Sequence, residues 1–479
     1  MSKEDAWNWI SGYESHVVEM SDKIWELAEL GLQEFKSSAL IADALEKNGF
    51  VVERGIAGMP TAFAATYGRG HPIIGIMGEY DALPGLSQKA VPHKEPFVEG
   101  APGHGCGHNI HGTSGLAAAI AVRVAMEKNG IGGTIRFFGC PAEENYSGKV
   151  FMVRDGFFDD VDVALSHHPG WFNFAGVGSC LAVNSVKFHF HGVASHAAAS
   201  PDRGRSALDA VELMNIGANF MREHIVQEAR IHYVIEKGGQ QPNVVPPYAR
   251  VWYYVRAPER DQVEKLYEWL LRIADGADLM ARTTHDVEFL EGSYNMLPNN
   301  ALSDIVTTNM KEIGTPEYTK DEMKFAREIS KTIPREDKMA GLRQTKRPGW
   351  EKLMDILLDQ SIPVPWDEGF VWPGSTDVAD VSWVTPTMEF TTATNAIGVP
   401  AHSWQSVAMN GMSIGHKSLI FAAKIIAGSA LDLLTKPELL RKVRDEFKER
   451  KGDRVYTSPI PEEVKPPLEV AREAAESSR

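Results

Sequence analysis

The chain has only three cysteines among 479 residues, Cys106, Cys140 and Cys180. That is too few for a disulfide framework, and it fits a reducing, cytoplasmic setting. Basic residues are in deficit: 49 Lys and Arg against 64 Asp and Glu leave a formal net charge of −15, which speaks against a nucleic-acid partner and for solubility. No apolar run approaches membrane-spanning length, and the opening Met1-Ser2-Lys3-Glu4-Asp5 lacks the apolar core of a signal peptide. No membrane association is therefore expected. Internal repeats and low-complexity tracts are missing too. Gly176-Val177-Gly178 is too short for a phosphate-cradling loop, which removes a nucleotide-binding reading by that route.

What is present is an ordinary globular composition, 43% hydrophobic and 24% charged, in a chain longer than one core usually supports, so two domains are expected. Apolar residues from Ile10 to Leu27 recur at three- and four-residue steps, predicting one opening helix, and a second is expected over residues 37–48. Strand-like runs at 62–67, 73–77, 134–139 and 161–165 alternate with helical stretches such as the Ala-rich 112–128. That alternation predicts an α/β fold with a mostly parallel, doubly wound sheet. After about residue 182 the pattern becomes two strand–helix–strand units, an α+β module inserted in the first domain. The expected division is 1–184 with 296–479 for the catalytic domain and 185–295 for the insert. Residues 315–349 read as a surface insertion, and the Pro- and Glu-rich 459–479 as an extended tail.

The chemistry-bearing residues cluster behind strand ends. Asp81 follows one predicted strand, Glu143-Glu144 another and His167-His168 a third, and in open α/β sheets ligands gather at the carboxyl ends of strands. Cys106 and His108 stand in the glycine-wrapped Gly103-His104-Gly105-Cys106-Gly107-His108. A thiol and an imidazole two residues apart suit zinc or a similar first-row cation; the plain alternative is a glycine-rich surface turn. Adjacent glutamates point to opposite sides of extended backbone, so one of Glu143 and Glu144 could hold a metal while the other takes a proton from water. A solvated acidic turn is the commoner fate of such a pair. His196 lies in the insert among small residues that would admit a ligand or another chain, and Asn243 and Arg256 downstream offer an amide and a guanidinium suited to a carboxylate.

Taken together and in this order, these motifs resemble the dinuclear metallopeptidase family that contains aminoacylase-1, carboxypeptidase G and the plant indole-acetyl-amino-acid hydrolases. The resemblance covers Asp81-Ala82-Leu83-Pro84, the Cys106 motif, Pro141-Ala142-Glu143-Glu144, Ser195-His196-Ala197-Ala198, Asn243-Val244-Val245-Pro246 and His402. His168-Pro169, residues 375–383 and His402-Ser403-Trp404 resemble the p-aminobenzoyl-glutamate hydrolase B type within its amidohydrolase branch. The resemblance implies metal ligands Cys106, His108, Glu144, His168 and His402, with Glu143 as general base and Asp81 orienting a ligand. It further implies that His196 polarises the scissile carbonyl, in many relatives across a dimer interface, and that Asn243 and Arg256 hold the substrate carboxylate. Asn109 departs from the branch, where many relatives carry Asp.

The implied protein is a zinc-peptidase-like amidohydrolase with two divalent metal ions per subunit, Mn2+ or Zn2+, and an insert that serves as lid and dimerisation domain. It would cleave N-acyl or N-aroyl amino acids, p-aminobenzoyl-glutamate among them, as a homodimer or as a heteromer with a paralogous A-type subunit. Two other readings stand beside it. One is a dipeptidase for β-alanyl or similar dipeptides; the other is a non-catalytic subunit of a heteromeric hydrolase, which loss of a ligand or of the base would favour.

Overall fold

The computed structural model describes residues 2–477. Six strands form one sheet: β1 (Val51–Arg54), β2 (Phe63–Arg69), β3 (Ile73–Glu79), β4 (Gly133–Cys140), β5 (Val163–Gly170) and, last in the chain, Thr387–Ala393. With β6 (Ser179–Cys180), β7 (Ala182–His191), β8 (Arg230–Lys237), β9 (Tyr248–Ala257), β10 (Thr284–Ser293) and β11 (Val371–Trp372) between, that last strand is β12. The order is β1-β2-β4-β3-β5-β12. The pairs β4–β3, β3–β5 and β5–β12 are parallel, whereas β1–β2 and β2–β4 at one edge are antiparallel. The sheet is thus mixed and mostly parallel, an α/β architecture.

Alternation along the strands sends side chains to two cores, one on each face. Ile74, Ile76, Phe137, Val163 and Leu165 join helices Ser2–Gly12, Glu14–Leu27, Phe35–Lys47, His108–Asn129 and Ser413–Thr435. Ile73, Met77, Phe138 and Ala164 face the opposite cluster around helix Gly148–Arg154. Helix Ser413–Thr435 is long and apolar enough to cross a membrane, but 83% of its apolar window is buried in the protein. It is a core helix.

A separate four-stranded antiparallel sheet, ordered β10-β7-β9-β8, carries helices Ala207–Met221 and Arg260–Ala281 over its own core of Val186, Phe188, Val251, Met214 and Leu270. This is the α+β pattern of the two strand–helix–strand units.

Three expectations change. The opening helix is two helices, because Tyr13 leaves helical geometry at φ −110°, ψ 11° between Ser2–Gly12 and Glu14–Leu27. Residues 315–349 are not merely surface: they form helices Lys320–Lys331 and Arg335–Gln344, and Ala326, Ile329 and Leu342 are fully buried. The tail is not extended throughout, since Leu468–Ser477 is helical and buries Ala471, with Ile460, in the core around helix Gly148–Arg154.

Candidate metal centre

Close packing brings the Cys106 motif to the end of β5. Helix His108–Asn129 starts after Gly107, which sits at φ 82° with no room for a side chain: a Cβ there would lie 2.7 Å from Pro169 Cγ. One turn on, a Cβ at Gly112 would lie 2.5 Å from the carbonyl oxygen of Glu79. The helix start is therefore pressed against the ends of both β3 and β5.

Two donor groups share Cys106. Cys106, His108 and His168 place their donor atoms within 4.8 Å of one another, and so do Cys106, Glu144 and His402. His168 Nδ1 donates to the Pro169 carbonyl at 2.8 Å, leaving the Nε2 lone pair aimed at Cys106 Sγ, 3.2 Å away. His108 Nδ1 donates to Asp81, at 2.8 Å to the carboxylate and 3.1 Å to the carbonyl, and its buried Nε2 makes no aligned hydrogen bond but faces Glu79 Oε2 at 3.1 Å. An imidazole pinned through one nitrogen by a carboxylate keeps its other nitrogen aimed in one direction, and that nitrogen presents a lone pair to a metal once its proton is displaced. Asp81 reaches further: its second oxygen accepts the N–H of Glu144 at 3.0 Å. Glu144 Oε2 lies 3.4 Å from His402 Nε2, and Glu144 Oε1 is buried without a hydrogen-bond partner.

The electrostatics fit cations. Burial, then Glu144, pushes the Cys106 thiol well above its usual range. Burial raises Glu144 to about 7 and, with Glu79, Glu144 and Asp377 adding repulsion, lifts Glu143 well above an ordinary carboxylate. Burial opposes charge on His108, but Asp81 and Glu79 outweigh it and hold that imidazole well above its usual range. A thiol, carboxylates and an imidazole that all hold protons in so small a space make a donor set that a divalent cation would satisfy by displacing them.

His167 is turned elsewhere. Its Nε2 meets Thr392 Oγ1 at 2.7 Å and its Nδ1 meets Ser114 Oγ at 3.3 Å, on the other face of β5 from His168. Glu143 and Glu144 likewise diverge: Glu143 groups with Glu79 and His108, Glu144 with Cys106 and His402.

Glu79, His111 and Glu389 form another acidic group, but its histidine is not free to ligate. His111 Nδ1 accepts the N–H of Glu79 at 2.9 Å, so Nε2 carries the proton, toward Ser166 Oγ at 3.0 Å. His111 is a hydrogen-bonded support.

The remaining candidates lie apart from the donors. His196 is exposed on the four-stranded unit, where a bridge to Val244 and a hydrogen bond from Ala197 N–H to the Asn243 carbonyl at 3.0 Å bring it beside Asn243. Its Nδ1 accepts the N–H groups of Ala198 and Ala199 at 3.2 and 3.1 Å, so Nε2 carries a proton to donate. Arg256, on β9, stacks on Tyr254 and donates to Ser375 Oγ at 3.0 Å. No hydrogen bond or ion pair described for His196, Asn243 or Arg256 reaches the donor groups.

Sequence reasoning missed the charges beneath the centre. Lys149, fully buried, pairs with Glu79 and Asp377, each at 2.6 Å. The available signals were Glu79 two residues before Asp81, hence on the same side of the chain, and a lysine inside the apolar Gly148-Lys149-Val150-Phe151-Met152-Val153.

The profile of peptidase family M20/M25/M40 matches residues 75–334. The chain is 41% identical over 458 residues to the B-type subunit of p-aminobenzoyl-glutamate hydrolase from Escherichia coli (strain K12), covering 94% of this chain and 95% of that one. To the Xaa-Arg dipeptidase of Mus musculus it is 29% identical, covering 90% and 88%. In fold it is similar to a dinuclear metal binding peptidase of Bacillus subtilis, with TM-score 0.57 and 18% identity over 88% of this chain and 99% of that one.

Proposed function

The chain belongs to peptidase family M20/M25/M40, and on that premise we propose a two-metal amidohydrolase that cleaves N-acyl or N-aroyl amino acids into a carboxylate and a free amino acid. The observation that carries the reading is Asp81, which holds His108 and the Glu144 backbone at once and so joins two donor groups that already share Cys106. Cys106, His108 and His168 would hold one ion, and Cys106, Glu144 and His402 the other. When bound, the ions would supply Lewis acidity and acidify water. A thiolate with imidazoles favours Zn2+ on softness, and Mn2+ is the alternative to test.

The chain's own residues do the rest. Glu143, beside the donors but paired with none of their protons, accepts the proton of the attacking water and returns it to the leaving nitrogen. His196 donates its Nε2–H to the carbonyl oxygen as negative charge grows there. Because His196 stands exposed on the four-stranded unit, that donation needs either closure of the unit or a neighbouring subunit. We accordingly read residues 185–295 as a lid and dimerisation domain inserted in a catalytic domain of 1–184 and 296–479. Arg256 and Asn243 hold the substrate carboxylate.

The 41% identity to the B-type subunit of p-aminobenzoyl-glutamate hydrolase makes p-aminobenzoyl-glutamate the first substrate to test, and a heteromer with an A-type subunit the first alternative to a homodimer. Free, mostly buried cysteines fit a cytoplasmic setting. The similarity to Xaa-Arg dipeptidase favours one second reading, a dipeptidase. A hydrolysis screen with metal-stripped protein, restoring Mn2+ or Zn2+ separately, tests both readings. Preference for N-aroyl amino acids supports the first and preference for free-amine dipeptides the second. No amide cleaved with either metal, alone or with an A-type subunit, ends both.

A further inference from the structure

Glu143 and Glu144 ride on one short helical turn, Glu143–Tyr146, bracketed by two non-glycine residues in the left-handed region, Ala142 at φ 58° and Ser147 at φ 52°. Such a backbone is held only where its surroundings determine it. A buried carboxylate from a distant part of the chain meets each bracket. Glu34, fully buried at the start of helix Phe35–Lys47, accepts the N–H of Ala142 at 2.9 Å through Oε1 and the hydroxyl of Thr61 at 2.9 Å through Oε2. Glu291 lies on β10 just beyond the register shift that follows Phe289. It accepts the Ser147 hydroxyl at 3.2 Å and the Tyr254 hydroxyl at 2.8 Å. Neither acid belongs to a donor group.

We infer that Glu34 and Glu291 are positioning residues, a two-sided clamp on the turn that sends Glu143 toward Glu79 and His108 and Glu144 toward Cys106 and His402. With Ala142 in the left-handed conformation, the peptide before it presents its N–H to Glu34. Without that acceptor the peptide is free to rotate, Ala142 relaxes to a common conformation, and the two following side chains swing together. Gly31 closes the same side, since a Cβ there would lie 3.1 Å from Ala142 Cα. At the far end, Glu291 ties the turn to the four-stranded sheet, so the same contact registers where that sheet sits. The inference rests on the proposed roles of Glu144 in holding metal and Glu143 in moving the proton.

The test compares Glu34→Leu, Glu34→Gln, Ser147→Ala and Glu144→Ala by titrating stripped protein with Zn2+ or Mn2+, beside thermal melting and steady-state kinetics. Supporting residues behind metal ligands typically change affinity or activity about 10–100-fold. Glu34→Leu is expected to weaken metal binding within that range and to lower kcat more than it raises KM. Glu34→Gln, which keeps an oxygen for Ala142 N–H, should stay within about 3-fold of wild type, well short of that range. Should Glu34→Leu not fold, Ser147→Ala decides in the same terms, weakening metal binding while melting near wild type. Wild-type metal affinity in folded Glu34→Leu, or Glu34→Gln as damaging as Glu34→Leu, overturns the clamp. Glu144→Ala separates the two failures. If it keeps full metal, the site assignment is wrong; if it loses metal while Glu34→Leu does not, only the clamp is.

Discussion

Lys149→Met is the perturbation whose cost can be worked from the structure. The ammonium is fully buried, 2.6 Å from Glu79 Oε1 and 2.6 Å from Asp377 Oδ1. Burial opposes its charge, but Asp377 and then Glu79 outweigh that and hold its pKa well above the ordinary lysine value. Methionine is of similar length, so the change removes charge and leaves little cavity. Breaking a buried pair by removing one partner costs about 3–5 kcal/mol, because the other charge stays behind. Here two carboxylates lose their cation, yet the cost should not double. Asp377 keeps the backbone N–H of residue 149 at 2.8 Å, and Glu79 keeps the imidazoles of His108 and His111 at 3.1 and 3.5 Å. The expected loss is about 4 kcal/mol, a large part of the ~5–15 kcal/mol that holds a domain folded. Urea unfolding followed by circular dichroism measures it. Adding Asp377→Asn removes one stranded charge, so the double variant should be more stable than Lys149→Met alone. A loss under about 1 kcal/mol, the range of an exposed pair, or a double variant weaker than the single, refutes the reasoning.

Other consequences are equally direct. Glu143→Gln should keep its metal while turnover falls about 10²–10⁴-fold, the usual cost of losing a general base; metal analysis beside steady-state rates decides, and wild-type turnover would end that assignment. Cys106→Ser and His168→Ala should each bind less metal than wild type, whereas His167→Ala, whose nitrogens face Thr392 and Ser114, should not; the reverse outcome would show the histidine pair misassigned. If His196 serves the partner's site, mixing inactive Glu143→Gln with inactive His196→Ala protein under verified subunit exchange should restore part of the activity, and no recovery refutes action across the interface. Glu322 gives a pH dependence: burial pushes its carboxyl up, but Lys417 at 2.7 Å and the Thr319 N–H at 2.6 Å outweigh it and hold it at about 2. A carboxyl lowered by folding stabilises above its unfolded pKa and loses that contribution as pH falls through its folded value. Lys417→Met should therefore cost about 1–2 kcal/mol at neutral pH, a shrinking amount as the pH falls toward about 2 and almost nothing below that, and an equal deficit across the range would refute the pairing.

How much of this could be read beforehand depended on the range of the interaction. Strand periodicity is local, so the runs behind Asp81, Glu143 and His168 were legible, as was the divergence of adjacent side chains that sends His167 to Thr392 and His168 toward Cys106. The break at Tyr13 was hidden because the apolar phase continues across it, both helices burying residues in the same core. The polar support of the centre was hidden for another reason. Lys149 and Asp377 stand 228 residues apart, Glu34 and Ala142 stand 108 apart, and Ser147 and Glu291 stand 144 apart, and nothing in either member's neighbourhood specifies the other. A buried charge without a visible partner is nonetheless a local signal, because its isolation in the core would be too costly to tolerate. Lys149 in its apolar helix therefore states that a partner exists. The missing information is which acid comes to it, and that is fixed only when β3 and the residues before β12 meet beneath the donor groups. The candidate donors lie at strand ends, turns and a helix start, where local rules speak. The groups that hold them lie wherever the fold happens to close, and for that reason the candidate donors were legible from the sequence while the side chains that support them were not.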